Sequence, residues 1–163
     1  MTKRQKAAVA AMQGFAEATG IDVVFYQSGA NRQGEYAGAN GFYRDGTIYL
    51  DINSGKVRLG ELGETAVLKT AAHELTHYIQ DRNPEGYRQL RDFVVEKLTT
   101  ESGADLDTLV ERKQAGYERA GEVLSYEAAL DEVVADGCEM MLRDTKAVEE
   151  LAKENRSLAC LLY

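Results

Sequence analysis

His73 and His77, the chain's only two histidines, stand four positions apart with Glu74 directly after the first, inside a segment whose apolar residues repeat with a helical period. Val67, Leu68, Ala71, Ala72, Leu75, Tyr78 and Ile79 recur at three- and four-residue steps. That places an apolar stripe on one side of a helix and the histidines along its border, near a cleft. Residues i and i+4 project from one helical face, so both imidazoles can meet one Zn²⁺ while the intervening acid reaches a water on the metal. Such an arrangement begins a metal-dependent, peptide-hydrolysing site. The plainer reading is two satisfied histidines on a buried helix; the flanking sequence, which is what a zinc helix needs, weighs against it.

Catalytic zinc sites usually take three protein ligands and leave the fourth position for water or substrate. The all-histidine variant of this motif would place its last ligand at a position that Asn83 occupies, and no further histidine exists. A carboxylate or a cysteine must complete the set. Residues 125–143 hold the best candidates, in a helical pattern with Ser125 as its N-cap. Glu132 and Asp136 lie one turn apart on one face. Glu132 can bind zinc while Asp136 accepts a hydrogen bond from the other ring nitrogen of a ligating histidine, which fixes the tautomer and orientation of the ring. Glu127 with Asp131 offers the same spacing. Glu132 is preferred because Leu130, Val133 and Val134 around it predict a packed stretch, where an acid needs a partner. Cys138 is a rival ligand, though a small core residue is the simpler account of it.

His73-Glu74-Leu75-Thr76-His77 after Ala71-Ala72, followed at a distance by Glu132-x-x-x-Asp136, resembles the gluzincins, the thermolysin-like branch of the zinc metallopeptidases. The resemblance implies a zincin-like fold, His73, His77 and Glu132 as zinc ligands, Glu74 as general base and Asp136 as the acid that orients a histidine. Residues 40–51 look like the hairpin that gives zincins their substrate-binding edge strand. Together these patches cover roughly a quarter of the chain. No histidine remains to stabilise the oxyanion; Tyr126, near the third ligand, is a candidate for that role, with packing at the helix start as the equally good account of it. The lengths and acidic character look more like the minor zincins of phage and mobile-element proteins. The expected activity is zinc-dependent hydrolysis of a peptide or protein substrate. Two alternatives are a non-catalytic zincin-fold interaction domain within a larger assembly and a regulatory peptidase specific for one repressor.

With 163 residues, the chain has the size of one ordinary domain, so a single domain over 1–163 is the expectation. A net charge of −8 argues against a nucleic-acid partner held through phosphates. Arg82, Arg88 and Arg91 come closest to a basic cluster and read as a solvated helix face. The N-terminal Lys3-Arg4-Gln5-Lys6 and the alanine-rich run after it have a superficial likeness to a secretory signal. Gln13 and Glu17 interrupt the apolar character beyond that run, so an amphipathic helix is expected instead. No stretch approaches the ~18 consecutive apolar residues of a membrane span. Cys138 and Cys160 form no metal pattern and nothing demands that they pair, which mildly favours a reducing cytoplasm.

Along the chain, the pattern predicts a helix over 3–18 closed by Gly20, a strand over 21–26, a loop over 28–38, and a hairpin about Asp45-Gly46. Ile48, Leu50 and Ile52 should face the core, with Thr47, Tyr49 and Asp51 facing the other way. An exposed strand edge there could accept a peptide by main-chain hydrogen bonds. The zinc helix should end near Pro84 and be followed by helices over 86–99 and 105–119, the Glu132 helix, and one more capped by Asp144 or Thr145. Met140 and Met141 fit helical core spacing, and Arg143 reads as a solvated helix end. The expected class is α+β, with a small mixed sheet in the N-terminal half and helices in the C-terminal half.

Overall fold

Lys3–Thr19 forms helix α1 in the computed structural model, which describes residues 3–27, 39–52, 63–141 and 145–154. Gly20 closes it as expected: its φ of 71° is left-handed, and its N–H donates to the Ala16 carbonyl at 2.8 Å. The strands β1 (Asp22–Tyr26), β2 (Gly41–Arg44) and β3 (Thr47–Asp51) form a mixed sheet of order β1-β3-β2. β1 runs parallel to β3 and β2 antiparallel to it, with Val24 and Phe42 flanking Tyr49 from the two sides. Asp45 and Gly46 both take positive φ, 50° and 85°, as a two-residue hairpin turn requires to match the twist of its strands.

Because β3 has a partner on each side, the open edges among the described strands belong to β1 and β2. The expected edge strand is therefore confined to Gly41–Arg44, and the Thr47–Asp51 half of the hairpin is central. Ile48 and Leu50 are buried as the alternation predicts, as is Ile52 beyond the strand end. Asp51, expected on the outer face, is buried too. It closes the central strand, where its N–H donates to the Asn40 carbonyl at 2.9 Å. The outer face carries an aromatic cluster in which Phe42 stacks on Tyr49 with centroids 4.6 Å apart and Tyr26 tilts against Phe42. Gln5 ties α1 to this layer, its Nε2 donating to the buried Ile52 carbonyl at 2.9 Å.

Helix α2, Gly63–Arg82, lies on the other sheet face and also packs on α1. Its buried positions Ala71, Ala72, Leu75 and Ile79 follow the stripe read from the sequence. Small residues let it come close to the sheet. A Cβ on Gly41 would lie 2.7 Å from the Thr70 methyl carbon. Tyr43 fixes the other end, its hydroxyl donating to Asp81 at 2.6 Å and its ring edge-on to Tyr78.

Two compact units make up the chain, Met1–Arg82 and Asn83–Tyr163. In the second, Asn83 caps helix α3 (Pro84–Ser102), its side chain accepting from the Gly86 N–H at 3.0 Å, and Pro84 occupies the first turn, where no amide donor is needed. Gly103 ends α3 at a φ of 66°. Asp105 caps α4 (Leu106–Arg119), and Ser125 caps α5 (Tyr126–Met141) by accepting from the Ala128 N–H at 3.1 Å. Helix α6 spans Thr145–Glu154. α5 is the hub, packing on α3, α4 and α6, with Leu130, Val133, Val134 and Cys138 buried. Gly137 permits the approach of α3: a Cβ there would clash with Val94 Cγ1. Lys97 of α3 pairs with Glu150 of α6.

The described chain is thus α+β, with a small mixed sheet and six helices. Among the described residues no helix is long and apolar enough to cross a membrane. Met141 is buried as its spacing suggests, whereas its neighbour Met140 is exposed. Residues 28–38, Arg143, Asp144 and Cys160 lie outside the described residues.

Candidate functional site

α2 brings His73, Glu74 and His77 together. The two rings stand edge to face with centroids 5.1 Å apart, both partly exposed at the margin of the buried stripe. The i, i+4 spacing gives this adjacency. Packing on the sheet at Thr70 and Asp81, on either side of the histidines, fixes the rotation of the helix. Glu74 is only 6% exposed, and Thr76, fully buried, returns its hydroxyl to the Ala72 carbonyl at 2.9 Å. Two imidazoles on one face offer nitrogen donors of the kind that zinc, copper, iron or nickel accept.

In the second unit, α5 brings Glu132 and Asp136 to one face, both partly buried, and α4 meets them with two donors of matching spacing. Tyr117 donates its hydroxyl to Glu132 Oε2 at 2.7 Å. One turn earlier, Lys113 forms an ion pair with Asp136 and lies 5.9 Å from the centroid of the Tyr117 ring. Burial, and then the bond to Glu132, pushes the Tyr117 hydroxyl well above the usual phenol range, so it stays a donor across the neutral range. Sequence reasoning missed both residues. Their signal is Lys113-x-x-x-Tyr117, a donor pair at the same one-turn step as Glu132-x-x-x-Asp136, on the preceding helix.

The rival register divides differently. Glu127 is exposed at the start of α5, and Asp131 accepts the hydroxyl of Tyr87 from α3, a contact that, after burial itself, raises the Tyr87 pKa. Asp131 is therefore committed to the α3–α5 packing, which leaves Glu132 and Asp136 as the one-turn acid pair engaged from α4. Cys138 is a buried thiol of the α5 core. Tyr126 is 40% exposed, and its hydroxyl donates to Asp107 in the first turn of α4 at 2.7 Å. That bond is the main reason its pKa is raised.

Comparison of the chain with protein-family models, with curated proteins and with solved structures found no match.

Proposed function

We propose that this chain is a zinc-dependent metallopeptidase of zincin-like fold, with His73, His77 and Glu132 as metal ligands and Glu74 as general base. The observation that carries the reading is the pair of partly exposed imidazoles on one face of α2, with Glu74 built in between them. In this reading Glu132 joins His73 and His77 as the third ligand. Two nitrogens and one carboxylate oxygen are the donor chemistry of hydrolytic zinc, and three ligands leave one position open.

Zinc bound there would supply Lewis acidity, making water acidic enough to be deprotonated near neutral pH and polarising the peptide carbonyl. Glu74 takes the proton of the attacking water and delivers it to the leaving amine. A purely structural metal site has no use for an acid between its two histidines.

The test joins metal content to turnover. Metal analysis of the purified chain should find one zinc per chain, and Glu74→Gln should keep that zinc while losing about 10²–10⁴-fold in cleavage of a peptide library. Unchanged turnover in Glu74→Gln would rule the mechanism out. Stoichiometric zinc without cleavage of any peptide or candidate protein would favour a non-catalytic interaction domain.

A further inference from the structure

The α4–α5 interface pairs two donors with two acids in a definite order. Tyr117 and Lys113 are four apart on α4, Glu132 and Asp136 four apart on α5, and the neutral donor meets the glutamate while the cation meets the aspartate. The reverse order would satisfy the same number of hydrogen bonds. It would also set an ammonium against Glu132, neutralising the carboxylate and repelling a metal cation.

We infer that Tyr117 is a positioning residue for metal binding: its hydroxyl holds Glu132 Oε2, turning Oε1 toward the cation, and being neutral it leaves the carboxylate its full charge. This rests on the reading of Glu132 as a ligand. A carboxylate on a free glutamate rotates about three side-chain bonds and can present either oxygen, both or neither. A hydroxyl at 2.7 Å on one oxygen removes most of that freedom and favours one-oxygen ligation. Tyrosine suits the task because only two torsions place its hydroxyl, and the Lys113 ammonium lies over the face of the Tyr117 ring, 5.9 Å from its centroid. Lys113 acts in the complementary sense. By neutralising Asp136 it makes that acid a weak competitor for the ion and keeps Glu132 as the carboxylate of choice.

The experiment measures zinc affinity of the full chain by competition with a chromophoric chelator, and the visible spectrum of the cobalt-substituted protein, for wild type, Tyr117→Phe, Lys113→Met and Glu132→Ala. Tyr117→Phe removes one oxygen and keeps the ring. The expected result is a 10- to 100-fold weaker zinc affinity with a shifted cobalt spectrum, and an unchanged melting temperature of the metal-free chain. Lys113→Met should change affinity less and the spectrum little. Should the phenylalanine variant melt early, Tyr117→Met makes the same deletion with a side chain that adapts to its space, and the same readouts apply. If Glu132→Ala abolishes tight binding while Tyr117→Phe leaves affinity and spectrum as in wild type, the inference is overturned and the ligand assignment stands. If wild type binds no zinc, or Glu132→Ala binds it as tightly, the ligand assignment itself fails and the inference with it.

Discussion

Gly41 lies so close beneath Thr70 that a single added methyl group would come within 2.7 Å of both the Thr70 methyl carbon and the Tyr49 carbonyl oxygen. The second of these is backbone of the central strand and cannot turn aside. Replacing Gly41 by alanine must therefore lift α2 from the sheet or push β2 away from β3. Overpacking of this kind costs about 1–3 kcal/mol. Chemical denaturation of Gly41→Ala should show a lower midpoint, and because the histidines ride on the displaced helix, zinc affinity should fall with it. A variant as stable as wild type would mean that the close approach is not maintained in solution.

Gly137 plays the matching part in the second unit, one residue beyond Asp136. Its added Cβ would overlap Val94 Cγ1 and stand 3.0 Å from Leu98 Cδ1, so the obstacles here are side chains. Gly137→Ala should again lower stability by about 1–3 kcal/mol. The double variant Val94→Ala with Gly137→Ala removes the nearer obstacle and should recover part of the loss. A double-mutant cycle checks this: additive losses would show that the two positions do not compete for the same space.

Much of this arrangement was legible because local rules set it. Asp45-Gly46 demands positive φ at two successive residues, Gly20 and Gly103 stop their helices, and Asn83, Asp105 and Ser125 start theirs, each through its own backbone neighbours. The α2 stripe and the placement of the histidines at its border follow from periodicity alone. What escaped depends on non-local choices. Periodicity says that β3 has a buried face and an outer one, yet not that β1 joins it in parallel and leaves β1 and β2 as the edges, nor that Asp51 ends up buried. The bonds from Tyr117 to Glu132 and from Lys113 to Asp136 depend on how far each helix is rotated about its own axis. The division after Arg82 carries no linker signature, since a single residue, Asn83, separates α2 from α3.

Acid should weaken the second unit partly through the cap of α4. Asp105 accepts hydrogen bonds from the backbone and side chain of Thr108, which hold its carboxyl below the usual carboxylate range, and Arg112 adds a smaller effect in the same direction. A pKa depressed in the folded state contributes stability that is complete above the unfolded value, about 3.9, and disappears as pH falls through the folded one. Asparagine caps equally well and does not titrate. Asp105→Asn should therefore melt like wild type at neutral pH and lose less than wild type between about pH 5 and pH 2. Parallel acid losses in the two proteins would show that the cap does not contribute.

Tyr126 decides where an oxyanion would find its donor. Read from the sequence, its place near the third ligand makes it a candidate for that part, with packing as the alternative. In the fold its ring is substantially exposed, and its hydroxyl is already donated to Asp107. A hydroxyl has one proton, so serving an oxyanion would require giving up a bond to a carboxylate, which is stronger than one to a neutral acceptor. Tyr126→Phe should accordingly change peptide turnover less than about 3-fold, whereas loss of a true oxyanion donor costs about 10²–10³-fold. Steady-state kinetics on any peptide the chain cleaves gives the answer, with metal content measured alongside. A loss of the larger size would mean that substrate draws Tyr126 away from Asp107 and would restore it to the catalytic machinery.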